Sequence, residues 1–333
     1  MTEELSKMLI TVSRYRIYLM KYLNINKTEL LKELSKRINI SEQSLHLSQI
    51  QDIEHCSVIL KALKDWKLEL TGVKNLKKGN PRDLAKKDLG KYNMKVVEIF
   101  NSIDGEGKRA GELTTFIRLF GCNLRCSFCD TPYSYNQETD ELPYKEMSIT
   151  EIIEECDKYN TDNITVTGGE PLIHLDIKYL LRALSEAGYN VNVETNGAVK
   201  IAQYFNSDGT PAEGYENVWF TVDYKSPSSG MEEKMIMDNF DVSKYKYHNV
   251  VYKFVVGNEE DLNKAYTIIT DKIIDKKQND NGNIIYLSPI FGDIEPREIV
   301  EYMQKTDLFN SKTPIRVQLQ LHKIIWDPMK KGV

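Results

Sequence analysis

The feature that most restricts the fold of this chain is a regular alternation of short apolar runs and helical stretches after residue 94. Strands separated by helices of about a dozen residues predict a parallel sheet with crossover helices. About six such units follow residue 122, so we expect an α/β fold, a partial (β/α)6-type barrel that works at the carboxyl ends of its strands. The expected strands are residues 96–100, 115–119, 164–167, 191–194, 218–222, 250–256, 284–287 and 315–321, and the expected helices are 148–159, 176–187, 264–274 and 296–304.

The first 93 residues have a different pattern, and a boundary is expected near residue 90. Residues 74–83 contain glycine, asparagine, proline and several lysines, a composition typical of a solvated linker. Before them, residues 28–37 read as a short amphipathic helix, and Ser41 is placed to cap another helix that runs to Leu63. We therefore predict two domains, a helical extension of unknown role over residues 1–90 and an α/β domain over residues 94–333.

Charge and composition limit the partners of both parts. Residues 1–93 carry 18 Lys and Arg against 11 Asp and Glu, whereas the remainder carries 26 against 38. Residues 28–44 have a weak helix-turn-helix cadence, but nucleic-acid binding requires a clustered basic face, so we do not expect nucleic acid as a partner. The extension is interpreted as a helical unit that packs on the larger domain or aids formation of a homodimer. No run of about 18 apolar residues is present, so no membrane span is expected.

Three of the five cysteines lie within eight residues, in the segment Cys122-Asn-Leu-Arg-Cys126-Ser-Phe-Cys129. Thiolates are soft ligands that suit iron–sulfur clusters, and three of them can hold three irons of a 4Fe–4S cube. The fourth iron would stay open, unlike the metal of a structural site, which a fourth residue closes. An open iron can take the amino and carboxylate groups of S-adenosylmethionine (SAM) and place an electron donor against its sulfonium.

Other interpretations of the three cysteines have less support. Their odd number and the absence of a signal-peptide pattern in the printed sequence argue against a disulfide framework. A zinc site needs a fourth ligand; Asp130 could serve, whereas the nearest downstream histidine, His174, lies 45 residues beyond Cys129. Buried structural thiols are a further alternative. Unpaired thiols and an oxygen-sensitive cluster fit a reducing cytoplasm, where we expect the protein to act.

Four more polar turns follow predicted strands. They are Thr167-Gly-Gly-Glu-Pro171, Glu194-Thr-Asn-Gly197, Asp223-Tyr-Lys-Ser-Pro227 and Tyr286-Leu-Ser-Pro289. Parallel strands end at one edge of a sheet, so these turns should share one rim with the cysteine loop. Any one of them alone is an ordinary turn, and Glu194 and Asn196 suit helix capping as well as ribose binding. Together with the cysteines, they predict an active site. His322, at the end of the last expected strand, is expected to be packed.

The cysteine spacing, with Phe128 before the last cysteine and Gly168-Gly-Glu-Pro171 downstream, resembles the radical SAM superfamily. Four segments extend the resemblance to the 7-carboxy-7-deazaguanine synthases of queuosine and deazapurine biosynthesis, over about residues 94–333. They are Glu98-Ile-Phe-Asn-Ser-Ile-Asp-Gly-Glu-Gly107, Phe116-Ile-Arg-Leu119 running into Gly121-Cys122, Cys129-Asp-Thr131, and Val317-Gln-Leu-Gln-Leu-His-Lys323. The first and third are the most discriminating within the superfamily.

The resemblance implies specific roles. Cys122, Cys126 and Cys129 would bind the 4Fe–4S cluster, and Thr131 would offer a hydroxyl oxygen to Mg²⁺, which prefers oxygen ligands. Implied SAM contacts are Phe128, Cys129, Asp130, Gly169, Asp223, Tyr224 and Lys225, and implied substrate contacts are Ile103, Asp104, Gly105, Glu106, Arg118 and Thr167. Arg118 would pair with the substrate carboxylate through its guanidinium fork. The sequence departs from the family at Asp104, where Gln is usual, and at Asp223-Tyr-Lys-Ser-Pro, where Ser-Pro-Lys-Pro-Pro is commoner.

The implied reaction converts 6-carboxy-5,6,7,8-tetrahydropterin into 7-carboxy-7-deazaguanine with loss of ammonia. A flavodoxin or ferredoxin would reduce the cluster, and a 5′-deoxyadenosyl radical derived from SAM would abstract a substrate hydrogen. Two alternatives use the same scaffold: an activase that installs a glycyl radical in a partner protein, and a non-catalytic iron–sulfur or RNA-binding protein. The segments around Glu106 and Thr131 argue against the first, and the intact cofactor turns argue against the second.

Overall fold

The computed structural model describes residues 27–38, 59, 62 and 89–333, except 137–141, 246–248, 274–283, 307, 309–312 and 329. The chain divides into two units, Met1–Gly79 and Asn80–Val333. In the first unit, helix α1 (Lys27–Ile38) confirms the amphipathic helix expected over residues 28–37. Its Leu30, Leu31 and Leu34 side chains are buried. The helix expected after Ser41, and the helix-turn-helix cadence beyond residue 38, lie outside the described residues, apart from 59 and 62.

Nine strands of the described chain form a single sheet in the second unit. They are β1 (Asn93–Ile103), β2 (Leu113–Leu119), β3 (Lys145–Ser148), β4 (Asn163–Gly168), β5 (Asn190–Thr195), β6 (Val218–Lys225), β7 (Val250–Val256), β8 (Ile284–Pro289) and β9 (Ile315–Val317). Their order is β3-β1-β2-β4-β5-β6-β7-β8-β9. The neighbours from β2 to β9 run parallel, whereas β1 and β3 form an antiparallel edge. The α/β fold expected from the alternating pattern is confirmed.

Four helices connect these strands: α2 (Ile149–Cys156), α3 (Ile177–Glu186), α4 (Glu259–Ile268) and α5 (Pro296–Lys305). A capping box starts α2, where the Glu151 carboxylate accepts the Ser148 N–H at 2.7 Å and Ser148 Oγ accepts the Glu151 N–H. Asn258 caps α4, and Pro296 occupies the first turn of α5. A short helix, α6 (Leu321–Ile325), follows β9. Among the described residues, no helix combines the length and apolar character that crossing a membrane requires.

The two faces of the parallel strands differ in polarity. The outer face packs against the helices and is apolar, as in Ile164, Val166, Val191 and Val193, all fully buried. The alternating inner residues are largely polar: Thr165, Thr167, Asn192, Glu194, Thr221, Asp223, Lys225, Lys253 and Ser288. Parallel sheets are ordinarily apolar on both faces, because both are covered. A polar inner face therefore indicates where a ligand would bind.

The loop between β1 and β2 shows that the sheet curves. Thr165 of β4 donates to Asp104 at 2.7 Å, and Gly107 N donates to Gln318, just after β9, at 2.6 Å. In a flat sheet, β4 and β9 would be about 24 Å apart, at about 4.8 Å per strand. Residues three apart in the chain reach only about 11 Å. The sheet must therefore wrap around this loop, which confirms the expected partial barrel.

Two expected helices differ in extent from the observed ones. The helix expected over residues 148–159 ends at Cys156. The helix expected over 264–274 begins earlier, at Glu259, and continues beyond Ile268 as a π-helical turn, Ile269–Ile273. Asn258 explains the earlier start, because its side chain accepts the Asp261 N–H at 3.0 Å.

One predicted strand was wrong in its extent, and one observed strand was not predicted. The strand expected over residues 315–321 ends at Val317, and Leu321 starts helix α6. The alternation in Val-Gln-Leu-Gln-Leu imitates a strand, but Leu321 N donates to Gly105 O at 3.1 Å instead of extending the ladder. Strand β3 was not predicted, because it has only four residues and its Lys145 and Glu146 are exposed.

Candidate functional site

The three cysteines lie in the loop that follows β2, and all three are free, partly buried thiols. Ser127 Oγ donates to Ser228 O at 2.7 Å, which ties the loop to the turn after β6. Asn196, after β5, donates to Asn123 Oδ1 at 2.8 Å and to Cys122 Sγ at 3.7 Å. The expected meeting of the cysteine loop with the turns after β5 and β6 is thus confirmed.

The donor set of this loop suits an iron–sulfur cluster. Burial raises the pKa of the Cys122 and Cys126 thiols. At Cys126 the positive charge of Lys225 opposes this rise in the pKa without cancelling it, and the two other thiols add to the rise. The three sulfurs are therefore close enough to interact electrostatically. Within the described residues, no three His, Cys, Asp or Glu side chains are already grouped as a metal site. The fit therefore rests on three free thiols in one loop, which is the ligand type that iron–sulfur clusters use.

Gly169 and Glu170 hold the loops after β2, β4 and β5 together. A Cβ at Gly169 would lie 2.2 Å from Gly121 O and 2.9 Å from Cys122 Cβ, so only glycine permits this approach. Glu170 is fully buried and accepts the Asn196 N–H at 2.6 Å. Burial raises the pKa of Glu170 to about 7, against hydrogen bonds that lower it. Its carboxylate acts as a clamp between loops.

The residues beside the last cysteine form the rim of the same loop. Thr131 Oγ1 lies 4.0 Å from Cys129 Sγ, so the oxygen predicted to bind magnesium is next to a sulfur predicted to bind iron. Asp130 is 51% exposed and pairs with Lys323 of α6 at 3.5 Å. Phe128 is partly buried in this loop. The C-terminal helix therefore contacts the cysteine loop.

A row of polar residues crosses the inner face from β1 to β5. Glu98 and Arg118 are cross-strand neighbours, and Arg118 is paired in register with Thr167. Arg118 Nε donates to Glu98 Oε1 at 2.7 Å, and Thr167 Oγ1 donates to Glu194 Oε2 at 2.8 Å. Burial raises the pKa of Glu194 to about 7, although nearby Lys253 lowers it. Arg118 and Thr167, both predicted to contact substrate, are thus brought together.

Glu106 belongs to an ion-pair network that reaches β6. Its Oε1 accepts from Ser288 Oγ at 3.0 Å, and its Oε2 lies 3.2 Å from Lys253 Nζ. Lys253 Nζ lies 3.1 Å from Asp223 Oδ1, and Lys225 Nζ lies 2.9 Å from Asp223 Oδ2. Burial raises the pKa of Asp223, but the two lysines hold it below its ordinary value. A residue predicted for substrate and two predicted for SAM therefore share one network.

The Asp104 side chain is bonded to Arg109 and Thr165 and not to any of the other predicted substrate residues. It follows Ile103, the end of β1, and Arg109 Nε donates to it at 2.7 Å in a pair whose side chains are 7% and 3% exposed. Arg109 also donates to Ile164 O at 3.1 Å and Asn190 O at 2.9 Å, at the amino ends of β4 and β5. The Asp104 carboxylate is therefore engaged at the end of the barrel opposite the cysteine loop.

Gly105 and Tyr224 could contact a ligand at the inner face only through their main-chain atoms. A Cβ at Gly105 would lie 2.5 Å from His322 Nδ1, so the imidazole packs directly on this glycine. Burial lowers the pKa of His322. The Tyr224 ring lies on the outer face, 2% exposed, and its hydroxyl donates to Glu232 at 2.9 Å. A contact from Tyr224 to a ligand at the inner face would come from its main chain.

Sequence reasoning gave no role to several residues of the inner face, including Glu98, Arg109, Lys253 and Gln318. Lys253 left a usable signal, because it interrupts the apolar strand Val-Val-Tyr-Lys-Phe-Val-Val, and lysine is rarely buried without a partner. Gln318 left none. Its bond to Glu106 at 2.9 Å joins residues 212 positions apart, which no local pattern reveals.

Comparison with known proteins agrees with this site. The family model of the Radical SAM superfamily matches residues 116–206, a span that holds the cysteine loop and the clamp at Glu170. A 7-carboxy-7-deazaguanine synthase from Clostridium acetobutylicum is 41% identical over 242 residues, which cover 72% of this chain and 100% of that protein. A synthase of the same name from Methanospirillum hungatei is 36% identical and covers 71% of this chain and 86% of its own length.

A third relative and one solved structure extend the comparison. The 7-carboxy-7-deazaguanine synthase of Chlorobaculum tepidum is 34% identical, over 72% of this chain and 97% of its own length. The crystal structure of QueE from Escherichia coli covers 72% of this chain and 99% of that protein, with a TM-score of 0.51. At 21% identity, it demonstrates a shared fold. The sequence relatives, taken with the cysteine loop and the partial barrel, show that this chain belongs to the 7-carboxy-7-deazaguanine synthase family of the radical SAM superfamily.

Proposed function

We propose that this chain converts 6-carboxy-5,6,7,8-tetrahydropterin into 7-carboxy-7-deazaguanine, with loss of ammonia, as a radical SAM lyase of queuosine biosynthesis. The observation that supports the proposal most directly is the 41% identity along the full length of the Clostridium acetobutylicum synthase. The inner face adds chemical support, because it offers a guanidinium for the substrate carboxylate and carboxylates for the N–H groups of a pterin ring.

Family membership implies a 4Fe–4S cluster and SAM, and when bound these groups supply the one-electron chemistry that side chains cannot. Cys122, Cys126 and Cys129 would hold the cluster. The protein positions that loop through two neighbours: Asn196 donates to Cys122 Sγ at 3.7 Å, and Glu170 fixes Asn196 through its backbone N–H at 2.6 Å. Such outer contacts orient ligands and are part of the site.

Arg118 is the proposed partner of the substrate carboxylate. Its side chain is only 13% exposed, so water competes little with a substrate carboxylate for a charge-assisted hydrogen bond to the guanidinium. Glu98 contacts Nε, and a guanidinium has a second edge, formed by its two terminal nitrogens, that can bind a carboxylate through two bonds. Glu98 thus fixes the plane of the fork and leaves its bidentate edge to the substrate.

The carboxylates of Glu106 and Glu194 are the proposed acceptors for the ring N–H groups. Ser288, Gln318 and Lys253 all donate to Glu106, which fixes its orientation before substrate arrives. Thr167 fixes Glu194 in the same way at 2.8 Å. Groups held in place beforehand lose little entropy on binding and align the reacting carbon with the cofactor.

The finer partners are also part of the proposal. Mg²⁺ is assigned to Thr131, whose hydroxyl is an oxygen donor beside the cysteine loop, and it would fix the charge of the substrate carboxylate. A flavodoxin or ferredoxin is the proposed electron donor, and the protein is proposed to act in the cytoplasm as a homodimer. Residues 1–90 are proposed as a helical extension, separate from the synthase domain over 94–333.

Anaerobic reconstitution with iron and sulfide, followed by assay with SAM, a reductant and the pterin, tests the function. Substrate and product differ by one ammonia alone, so the hydrogen removed from the substrate must be returned and SAM is not consumed in each turnover. We therefore expect 7-carboxy-7-deazaguanine in excess over 5′-deoxyadenosine and methionine. Formation of 5′-deoxyadenosine without 7-carboxy-7-deazaguanine would contradict the substrate assignment alone. Absence of both 7-carboxy-7-deazaguanine and 5′-deoxyadenosine from protein with a full iron content would contradict radical chemistry itself.

A further inference from the structure

Lys253 is the one residue of the described inner face that touches a carboxylate from each of two predicted subsites. It is the fourth residue of β7, is 8% exposed, and is paired in register with Asp223 of β6. All its strand neighbours in Val250–Val256 are apolar or aromatic. A lysine in this setting is stabilised only by ion pairs on the inner face, because burial without a partner is costly.

The geometry makes one ammonium the partner of two ligand-facing groups. Lys253 Nζ lies 3.2 Å from Glu106 Oε2, in the loop after β1, and 3.1 Å from Asp223 Oδ1, near the carboxyl end of β6. Those two oxygens are therefore at most 6.3 Å apart. The remaining oxygen of each carboxylate has its own donors, Ser288 and Gln318 for Glu106 and Lys225 for Asp223. Lys253 is thus the contact through which the two carboxylates affect one another.

The charge of Lys253 is secured by its surroundings. Burial lowers its pKa, but Asp223, Glu106 and Glu194 together raise that pKa well above its ordinary value. The ammonium therefore keeps its proton at neutral pH and is shared among its acidic neighbours. When Glu106 accepts a hydrogen bond from another group, its contact with Lys253 weakens, and the contact between Lys253 and Asp223 becomes stronger.

We propose that Lys253 couples the two subsites, so that a pterin bound at Glu106 strengthens the binding of SAM at Asp223. This inference rests on the proposed function. A ring N–H that donates to Glu106 Oε2 displaces part of the Lys253 contact, and the ammonium shifts toward Asp223. The Asp223 carboxylate is then held more firmly in the orientation that meets the cofactor. By thermodynamic reciprocity, SAM must strengthen pterin binding by the same factor.

The proposal makes Lys253 a positioning residue, and this differs measurably from a purely structural role. A structural lysine that only neutralises buried acids would, when replaced, weaken the two affinities separately and leave their mutual dependence unchanged. A coupling lysine changes the ratio of SAM dissociation constants measured without and with pterin. Coupling free energies between sites commonly correspond to factors of about 5 to 150.

The experiment measures SAM binding to the reconstituted full-length protein under anaerobic conditions, with the cluster oxidised so that no turnover occurs. The SAM dissociation constant is determined with and without saturating 6-carboxy-5,6,7,8-tetrahydropterin. We expect the pterin to tighten SAM binding to the unmodified protein by about fivefold or more. In Lys253→Gln the factor should fall to within about twofold of one, and in Lys253→Arg, which keeps the charge, it should be partly retained.

Two further variants keep the test decisive. Lys264→Gln is the matched control, because Lys264 pairs with Glu232 at 2.7 Å and is 40% exposed, and it should keep the coupling of the unmodified protein. Glu106→Gln covers the case in which Lys253→Gln does not fold. It removes the competing charge, so SAM should bind more tightly without pterin, near the affinity that the unmodified protein shows with pterin.

The outcomes separate this inference from the function on which it rests. If the unmodified protein does not bind the pterin at all, the proposed function fails and the inference falls with it. If both ligands bind but the coupling factor is one, or is the same in Lys253→Gln, only the inference is overturned. Unchanged SAM affinity in Glu106→Gln would also overturn the inference alone.

Discussion

Glu98 and Arg118 stand opposite each other on the antiparallel strands β1 and β2, and Arg118 Nε donates to Glu98 Oε1 at 2.7 Å. The Tyr133 hydroxyl donates to the same oxygen at 3.3 Å. The guanidinium assigned to the substrate carboxylate therefore already has a carboxylate partner, supplied by the chain. The substrate carboxylate therefore binds next to an ion pair whose net charge is zero. The binding free energy that it obtains from Arg118 depends on hydrogen-bond geometry more than on net charge.

Replacing Arg118 by Ala should raise KM for the pterin by about 10- to 100-fold, the range expected for loss of hydrogen bonds to a charged group. Cleavage of SAM without substrate should be largely unaffected, because Arg118 lies outside the predicted cofactor contacts. Steady-state kinetics with separate quantification of 5′-deoxyadenosine measures both effects. Arg118→Lys keeps the charge but not the fork, so it should restore only part of the affinity. Unchanged affinity for the pterin in Arg118→Ala would refute the carboxylate role.

Replacing Cys126 by Ala should abolish both cluster absorption and turnover, because two thiolates cannot hold three irons of the cube. Iron content and visible absorption after reconstitution measure the first effect, and product formation measures the second. Cys156→Ala is the control, since Cys156 is buried in α2, away from the loop, and should leave the iron content unchanged. An active Cys126→Ala protein without a cluster would contradict the assignment.

Replacing Thr131 by Val should remove the dependence of turnover on magnesium while leaving the cluster in place. The change deletes the hydroxyl oxygen that the proposed ion would bind, and valine keeps a similar shape. Thr131→Ser retains an oxygen donor and should retain the magnesium dependence. Product formation is measured at increasing Mg²⁺ in protein of matched iron content. Equal responses of the two variants to magnesium would exclude Thr131 as a ligand.

Replacing Arg109 by Met should lower the free energy of unfolding by about 3–5 kcal/mol, the usual cost of leaving a buried charge without its partner. Asp104, 3% exposed, would lose the 2.7 Å bond from Arg109 Nε. Urea denaturation of the purified protein measures the change. The double variant Asp104→Asn, Arg109→Met removes the orphaned charge and should be more stable than Arg109→Met. Equal stability of the single and double variants would contradict the pairing.

The pH dependence of stability should reveal Glu194. Burial raises its folded-state pKa from 4.5 to about 7, so between these values the folded chain holds a proton that the unfolded chain has lost. Stability contributed by Glu194 therefore falls as pH rises through that window. The free energy of unfolding of Glu194→Gln, relative to the unmodified protein, should rise between about pH 5 and about pH 8. Glu170, whose pKa burial also raises to about 7, titrates in both proteins, as do His174 and His322, so the difference isolates Glu194. A flat difference would contradict the shift.

The sequence was sufficient where a local pattern carries the information. Residues such as Val191 and Val193 repeat on the outer face with period two, and Ser148 and Pro296 mark helix starts, so most strands and helices could be predicted. The cysteine spacing is likewise local. These features depend on neighbours in the chain, and a single sequence displays them directly.

The sequence was insufficient where a residue depends on a distant partner. Nothing near Glu98 indicates that it faces Arg118, because that pairing follows from the register of β1 on β2. The end of β9 at Val317 is set by Gly105, which accepts the Leu321 N–H. The network around Glu106 unites residues from five separate parts of the chain. Such contacts are consequences of the closed sheet and cannot be read before the sheet is known.

The division of the sheet into an apolar outer face and a polar inner face has a consequence for how such enzymes diverge. Packing against the helices is carried by one set of side chains, and ligand contact by the alternate set on the same strands. Selection can therefore rewrite the interior for a new substrate while the exterior preserves the architecture. Descendants of one ancestral barrel can in this way acquire different chemistries without first having to become differently folded.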